Sequence, residues 1–92
     1  MDERAWDESA WDDLRQSLDA GHCWPCAYLF KFIVPSPATQ QVIDLFPGMP
    51  VDVRPSRHGR YMSVSAEVPM HTSEEVVMVY QRASGIPGVI SL

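Results

Sequence analysis

The stretch Arg54-Pro55-Ser56-Arg57-His58-Gly59-Arg60-Tyr61-Met62-Ser63-Val64-Ser65-Ala66-Glu67-Val68 decides the fold. A basic turn bearing a glycine leads into eight residues that alternate without a break. Met62, Val64, Ala66 and Val68 point one way, and Tyr61, Ser63, Ser65 and Glu67 the other. A period of two marks a strand with one buried face. Working back, Val51 to Pro55 reads as a short strand bounded by prolines, suited to a sheet edge. Working forward, Pro69 closes the long strand. Thr72-Ser73-Glu74-Glu75 forms a capping box, and a helix follows to about Ser84, burying Val76, Val79, Tyr80 and Ala83. Gly85 ends that helix, and Pro87-Gly88 turns the chain into a last strand, Val89 to Leu92.

The first half supplies the matching unit. Tyr28, Phe30, Phe32 and Val34 share one face of a first strand, with Leu29, Lys31 and Ile33 on the other. Pro35-Ser36-Pro37 breaks the strand. Ser36 suits an N-cap and Pro37 the first helical position, so a short helix is expected over Ala38 to Phe46, with Ala38, Val42, Leu45 and Phe46 inward. The resulting order is βαββαβ, an α+β ferredoxin-like arrangement. It implies a four-stranded antiparallel sheet with strands one and three central and both helices on one face. The opposite face would then expose Leu29, Ile33 and Tyr61, which are too apolar to stand in water without a reason. An N-terminal helix or a second subunit is expected to cover them.

That N-terminal segment is distinct in charge. Of the 92 residues, the first 20 carry seven acids and two arginines, and the remaining 72 are balanced, so the net charge of −5 belongs to the arm. Trp6, Ala10, Leu14 and Leu18 recur at helical spacing, with Trp11 beside them and Gly21 as a stop. The expected division is an acidic helical arm, 1–21, and a ferredoxin-like domain, 22–92. No apolar run approaches the ~20 residues of a membrane span. The acidic start lacks the pattern of a signal peptide, so a cytoplasmic chain with no membrane partner is expected.

A family resemblance follows from these residues. Trp24-Pro25-Cys26, with Tyr28 and Lys31-Phe32, resembles the approach to strand one in the small bacterial YbeD-like proteins. The run from Pro55 to Ser65 resembles that family's Pro-Ser-x-x-Gly-x-Tyr-x-Ser-Val-Ser hairpin, and Gly88–Leu92 fits its last strand. The likeness covers residues 22–92. It implies a ferredoxin-like domain similar in shape to ACT-type regulatory domains, and a regulatory role. The short first helix and the acidic, Trp-bearing arm stand outside it.

Chemistry-bearing motifs are few. Cys23-Trp24-Pro25-Cys26 has the spacing of a thiol-redox pair, but such a pair opens a helix whose N-terminus favours the thiolate, and this one precedes a strand. The same cysteines could join His22 and His58 or His71 as zinc ligands, although a structural site needs four and only one pair is present. Arg54, Arg57, His58 and Arg60 crowd the hairpin turn. An RNA-binding sheet would need stacking aromatics on strands one and three, where Tyr61 stands alone, and the chain is acidic, so no nucleic acid is expected. An ACT-like effector site would lie at Pro35-Ser36-Pro37, which lacks a glycine or acid; Ser36 and the following amides remain an anion-binding candidate. No nucleophile–base pair or carboxylate pair is visible.

The expectation is a small non-enzymatic regulatory or protein-interaction module without a cofactor. Its partner would be an unknown protein or a second copy, as a homodimer through the open sheet face. Arg54, Arg57, His58, Arg60, Tyr61, Leu29 and Ile33 form the candidate contact surface. The alternatives are an ACT-like dimer sensing a small ligand, and a thiol-redox or metal-binding protein acting through Cys23 and Cys26.

Overall fold

A computed structural model describes residues 8–92. Helix α1 (Glu8–Gly21) leads into strand β1 (Cys26–Pro35), a 3-10 turn (Ser36–Ala38) and helix α2 (Thr39–Ile43). Strands β2 (Asp52–Pro55) and β3 (Tyr61–Met70) form the hairpin. Helix α3 (Ser73–Ala83) and strand β4 (Ile90–Ser91) complete the chain. The sheet order is β2-β3-β1-β4, antiparallel throughout, which is the ferredoxin-like arrangement.

The central ladder runs unbroken from Cys26 opposite Met70 to Pro35 opposite Tyr61. One face of it carries Phe30, Phe32, Val34, Val64, Ala66, Val68 and Met70 into the core, where Val42, Phe46, Val76, Val77 and Ala83 meet them. Each valine, phenylalanine or methionine among them contributes roughly 1.5–3 kcal/mol by leaving water. The rings of Phe30, Phe32, Phe46 and Tyr80 pack at centroid distances of 5.3–6.3 Å, mostly tilted or edge-on.

Several boundaries differ from expectation for physical reasons. β3 continues through Pro69 to Met70. In this ladder Val64, Ala66 and Val68 turn their backbone groups toward β1, so Pro69 turns toward β2, whose pairing with β3 reaches only Ser65. The missing amide hydrogen of proline costs no ladder bond there. Ser36 does not cap α2: its hydroxyl donates to the Gly59 carbonyl at 2.5 Å, and its amide donates to the Arg60 carbonyl at 2.9 Å. The expected helix over Ala38 to Phe46 shrinks to five α-helical residues, 39–43, yet Ala38, Val42 and Phe46 are still buried, with Leu45 half-buried. At α3 the Thr72 hydroxyl accepts from the Glu75 amide at 3.2 Å, as a capping box requires. Glu75 reaches one residue further back than the box predicts, accepting the His71 amide at 2.7 Å. That bond, with the His71 ring 3.4 Å away, holds the Glu75 carboxyl below the usual carboxylate range. Val77 was not expected in the core; Val79 and Tyr80 are only half-buried.

Gly88 shows why the last turn needs glycine. Its φ is +76°, and a Cβ there would lie 2.6 Å from Pro35 Cγ. This close approach seats the start of β4 against the end of β1.

Helix α1 departs most from the expectation that it could close the open face. It lies on the helical side, against α3, running antiparallel to it. Trp11 and Leu18 are buried in the same core as Phe30 and Phe32, and Arg15 Nε donates to Glu74 Oε1 at 2.6 Å. Trp6 lies outside the described residues. Because Trp11 belongs to the common core, Trp11→Ala should lower the free energy of unfolding by about 3 kcal/mol in a single transition. A loss under about 0.5 kcal/mol in chemical denaturation would show that α1 packs loosely.

Candidate functional site

The three helices lie on one side of the sheet, and among the described residues nothing covers the other face. The register places Ala27, Leu29, Lys31 and Ile33 of β1 beside Pro69, Glu67, Ser65 and Ser63 of β3. Asp52 and Arg54 of β2 flank Ser65 and Ser63, and Ile90 of β4 flanks Ile33. The Leu92 amide donates to the Lys31 carbonyl at 2.9 Å, and Leu92 lines a pocket of about 190 Å³ with Leu14, Tyr80 and Ser91 on the helical side. Leu29 is 59% exposed, Tyr61 45%, Ile90 53% and Leu92 67%. The open face therefore carries three large exposed apolar side chains, Leu29, Tyr61 and Ile90, with Ile33 half-buried.

The expected contact residues separate into three groups. Ile33, Arg54 and Tyr61 line a shallow pocket of about 150 Å³ with Pro55, Ser56 and Ser63. Leu29 stands apart from them, in a broader depression with Pro50, Asp52, Ser65 and Glu67. Arg57, His58 and Arg60 are exposed at the hairpin tip, where Gly59 takes a φ of +73°. Arg54 is less available than its charge suggests, because its Nε donates to Asp52 at 2.9 Å. Ile90 was missed as a member of this surface. The parity of the last strand cannot be read from three residues; only the pairing of Ile33 with Ile90 sets it.

The other motifs are placed as follows. Both cysteines are free thiols: Cys23 is exposed ahead of β1, and Cys26, half-buried, is the first residue of β1, opposite Met70. Among the described residues, no three histidine, cysteine or acidic side chains converge as metal ligands. His22 stacks on Trp24 at 5.1 Å and its Nδ1 donates to the Leu18 carbonyl at 3.0 Å. Trp24 Nε1 donates to Asp19 at 2.9 Å. These contacts pin the end of α1 to the start of β1. The anion site considered at Ser36 is closed, since its amide and hydroxyl both engage the hairpin.

On the helical side, Trp11, Tyr80, Ser84, Ile86, Val89 and Ser91 line a pocket of about 290 Å³. Tyr80 shares a hydrogen bond of 3.0 Å with the Tyr28 hydroxyl. Burial, reinforced by that bond, pushes the Tyr80 phenol well above its usual range. The unfolded chain therefore loses this proton first, and stability is full below about pH 10 and falls as pH rises beyond it. Replacing Tyr80 with Phe should flatten this alkaline fall in stability, measured by denaturation as a function of pH. An unchanged slope would remove Tyr80 as its cause.

The profile of the family described as Protein of unknown function (DUF493), the YbeD-like proteins, matches residues 19–92. No curated protein and no solved structure matches the chain. No described helix is long and apolar enough to cross a membrane.

Proposed function

The chain belongs to the DUF493 family, whose function is unknown, and from that premise we propose that it is a non-enzymatic, regulatory interaction module that binds protein through the open face of its sheet. The observation that carries this reading is the position of α1. The amphipathic helix that could have closed the sheet lies against α3 instead, leaving Leu29, Tyr61 and Ile90 exposed. Large apolar side chains exposed on one sheet face and interspersed with charged residues have the composition of a protein contact. The arginine turn stands at the end of the same face, where Arg57 and Arg60 are exposed. Arginine is favoured at such contacts for its planar fork of donors. An ACT-like response to a small ligand at the loop after β1 is the weaker reading, because Ser36 already bonds to the hairpin.

The test is capture of protein partners by the tagged chain. Leu29→Asp together with Ile90→Asp should abolish capture and leave the unfolding midpoint nearly unchanged, since both side chains are exposed. Arg57→Glu with Arg60→Glu should weaken capture through the turn. A capture profile unaltered by either pair would remove the open face and its edge as the functional surface.

A further inference from the structure

We propose that the occupant of the open face is a second copy of this chain, packed face to face about a two-fold axis that sets Lys31 of each copy on Glu67 of the other. The inference rests on the interaction reading above and names its partner.

Charge balance is the first argument. The chain is strongly acidic overall, and its described α1 acids, Asp12, Asp13 and Asp19, are exposed on the helical side. The open face is neutral, with Lys31 and Arg54 offset by Asp52 and Glu67. An acidic or a basic partner would meet a like charge somewhere on it. A second copy can set Lys31 of each chain on Glu67 of the other, while Asp52 stays paired with Arg54 on its own strand.

The arrangement of those charges is the second argument. Arg54 and Asp52 already pair on β2. Lys31 and Glu67 lie on adjacent strands, one cross-strand step apart: Lys31 faces Ser65, and Glu67 faces Leu29. Neither has an ion-pair partner among the described residues. A two-fold axis lying in the interface and bisecting the line between them exchanges the two positions. It therefore forms two identical Lys31–Glu67 pairs across the interface.

Packing follows from the same axis. With strands ~4.8 Å apart and same-face residues ~6.7 Å apart, the axis passes close to Leu29 and Ser65, the other diagonal of that four-residue cell. Leu29, more than half exposed in the single chain, then packs on Leu29 of the other copy, beside the small Ser65. The strands of the two sheets cross at roughly 70°, near the orthogonal class of sheet packing. The ion pairs flank an apolar centre.

The experiment is light scattering and sedimentation of the full chain. The wild type should be a dimer at about 100 µM and dissociate on dilution. Lys31→Glu alone, or Glu67→Lys alone, places like charges at both pairs and should raise the dissociation constant at least about tenfold. Mixing the two variants in equal amounts should restore a dimer containing one chain of each, and so should the double exchange K31E/E67K. Thermal unfolding of each variant checks that the fold persists. A wild-type monomer at that concentration overturns the inference, as does a dimer indifferent to both single changes, or variants that fail to combine. A monomer whose open face still captures another protein overturns self-association alone. A monomer that captures nothing overturns the interaction reading as well.

Discussion

The pairing of β1 with β3 is the constraint on which the rest depends. Ten residues on each strand meet in one unbroken antiparallel register. Because side chains alternate at every step, this register decides in one stroke which residues are buried and which are not. Phe30, Phe32, Val34, Val64 and Ala66 become the floor of the core. Leu29, Lys31, Ile33, Tyr61 and Glu67 become the opposite surface. A slip of β1 by one residue would turn Lys31 into the core and Phe30, Phe32 and Val34 into water. The cost of burying unpaired charge excludes it.

The helices answer to that floor. α3 brings Val76, Val77 and Ala83 onto the sheet, and the short α2 region adds Ala38, Val42 and Phe46. α1 extends the same layer by packing beside α3 with Trp11, Leu14 and Leu18, and Arg15 bridges to Glu74. The acidic residues of α1 thus gather on the helical side, while Arg57 and Arg60, without an ion-pair partner among the described residues, extend from the hairpin tip. The molecule separates its charge as sharply as it separates its two sheet faces. That asymmetry supports reading the open face as a place of contact.

Much of this was legible in the chain. The alternation from Tyr61 to Val68 and the Tyr28–Val34 pattern gave both central strands and their faces, because period two over seven or eight residues is a strong signal. Thr72 and Glu75 gave the start of α3 through capping chemistry. Tertiary contacts governed the rest. Ser36 has the look of an N-cap, yet the hairpin offers its hydroxyl a carbonyl at Gly59, and no local rule weighs that competitor. Pro69 ends a strand only where its amide would be needed, which depends on how far β2 extends. The direction in which α1 packs depends on a groove beside Tyr80 that exists only after folding. The candidate surface was visible for Leu29, Ile33 and Tyr61, which lie on long strands. It was hidden for Ile90, whose facing depends on a two-residue pairing.

The central claim is that α1 belongs to the helical layer and leaves the opposite face of the sheet bare. Nuclear Overhauser contacts from the Trp11 indole test it most directly in the full chain. The account predicts contacts to the side chains of Tyr80, Ile86 and Val89, which line the same pocket, and none to Leu29, Ile33 or Tyr61. Contacts from Trp11 to Leu29 or Ile33 would place the helix over the open face and contradict it.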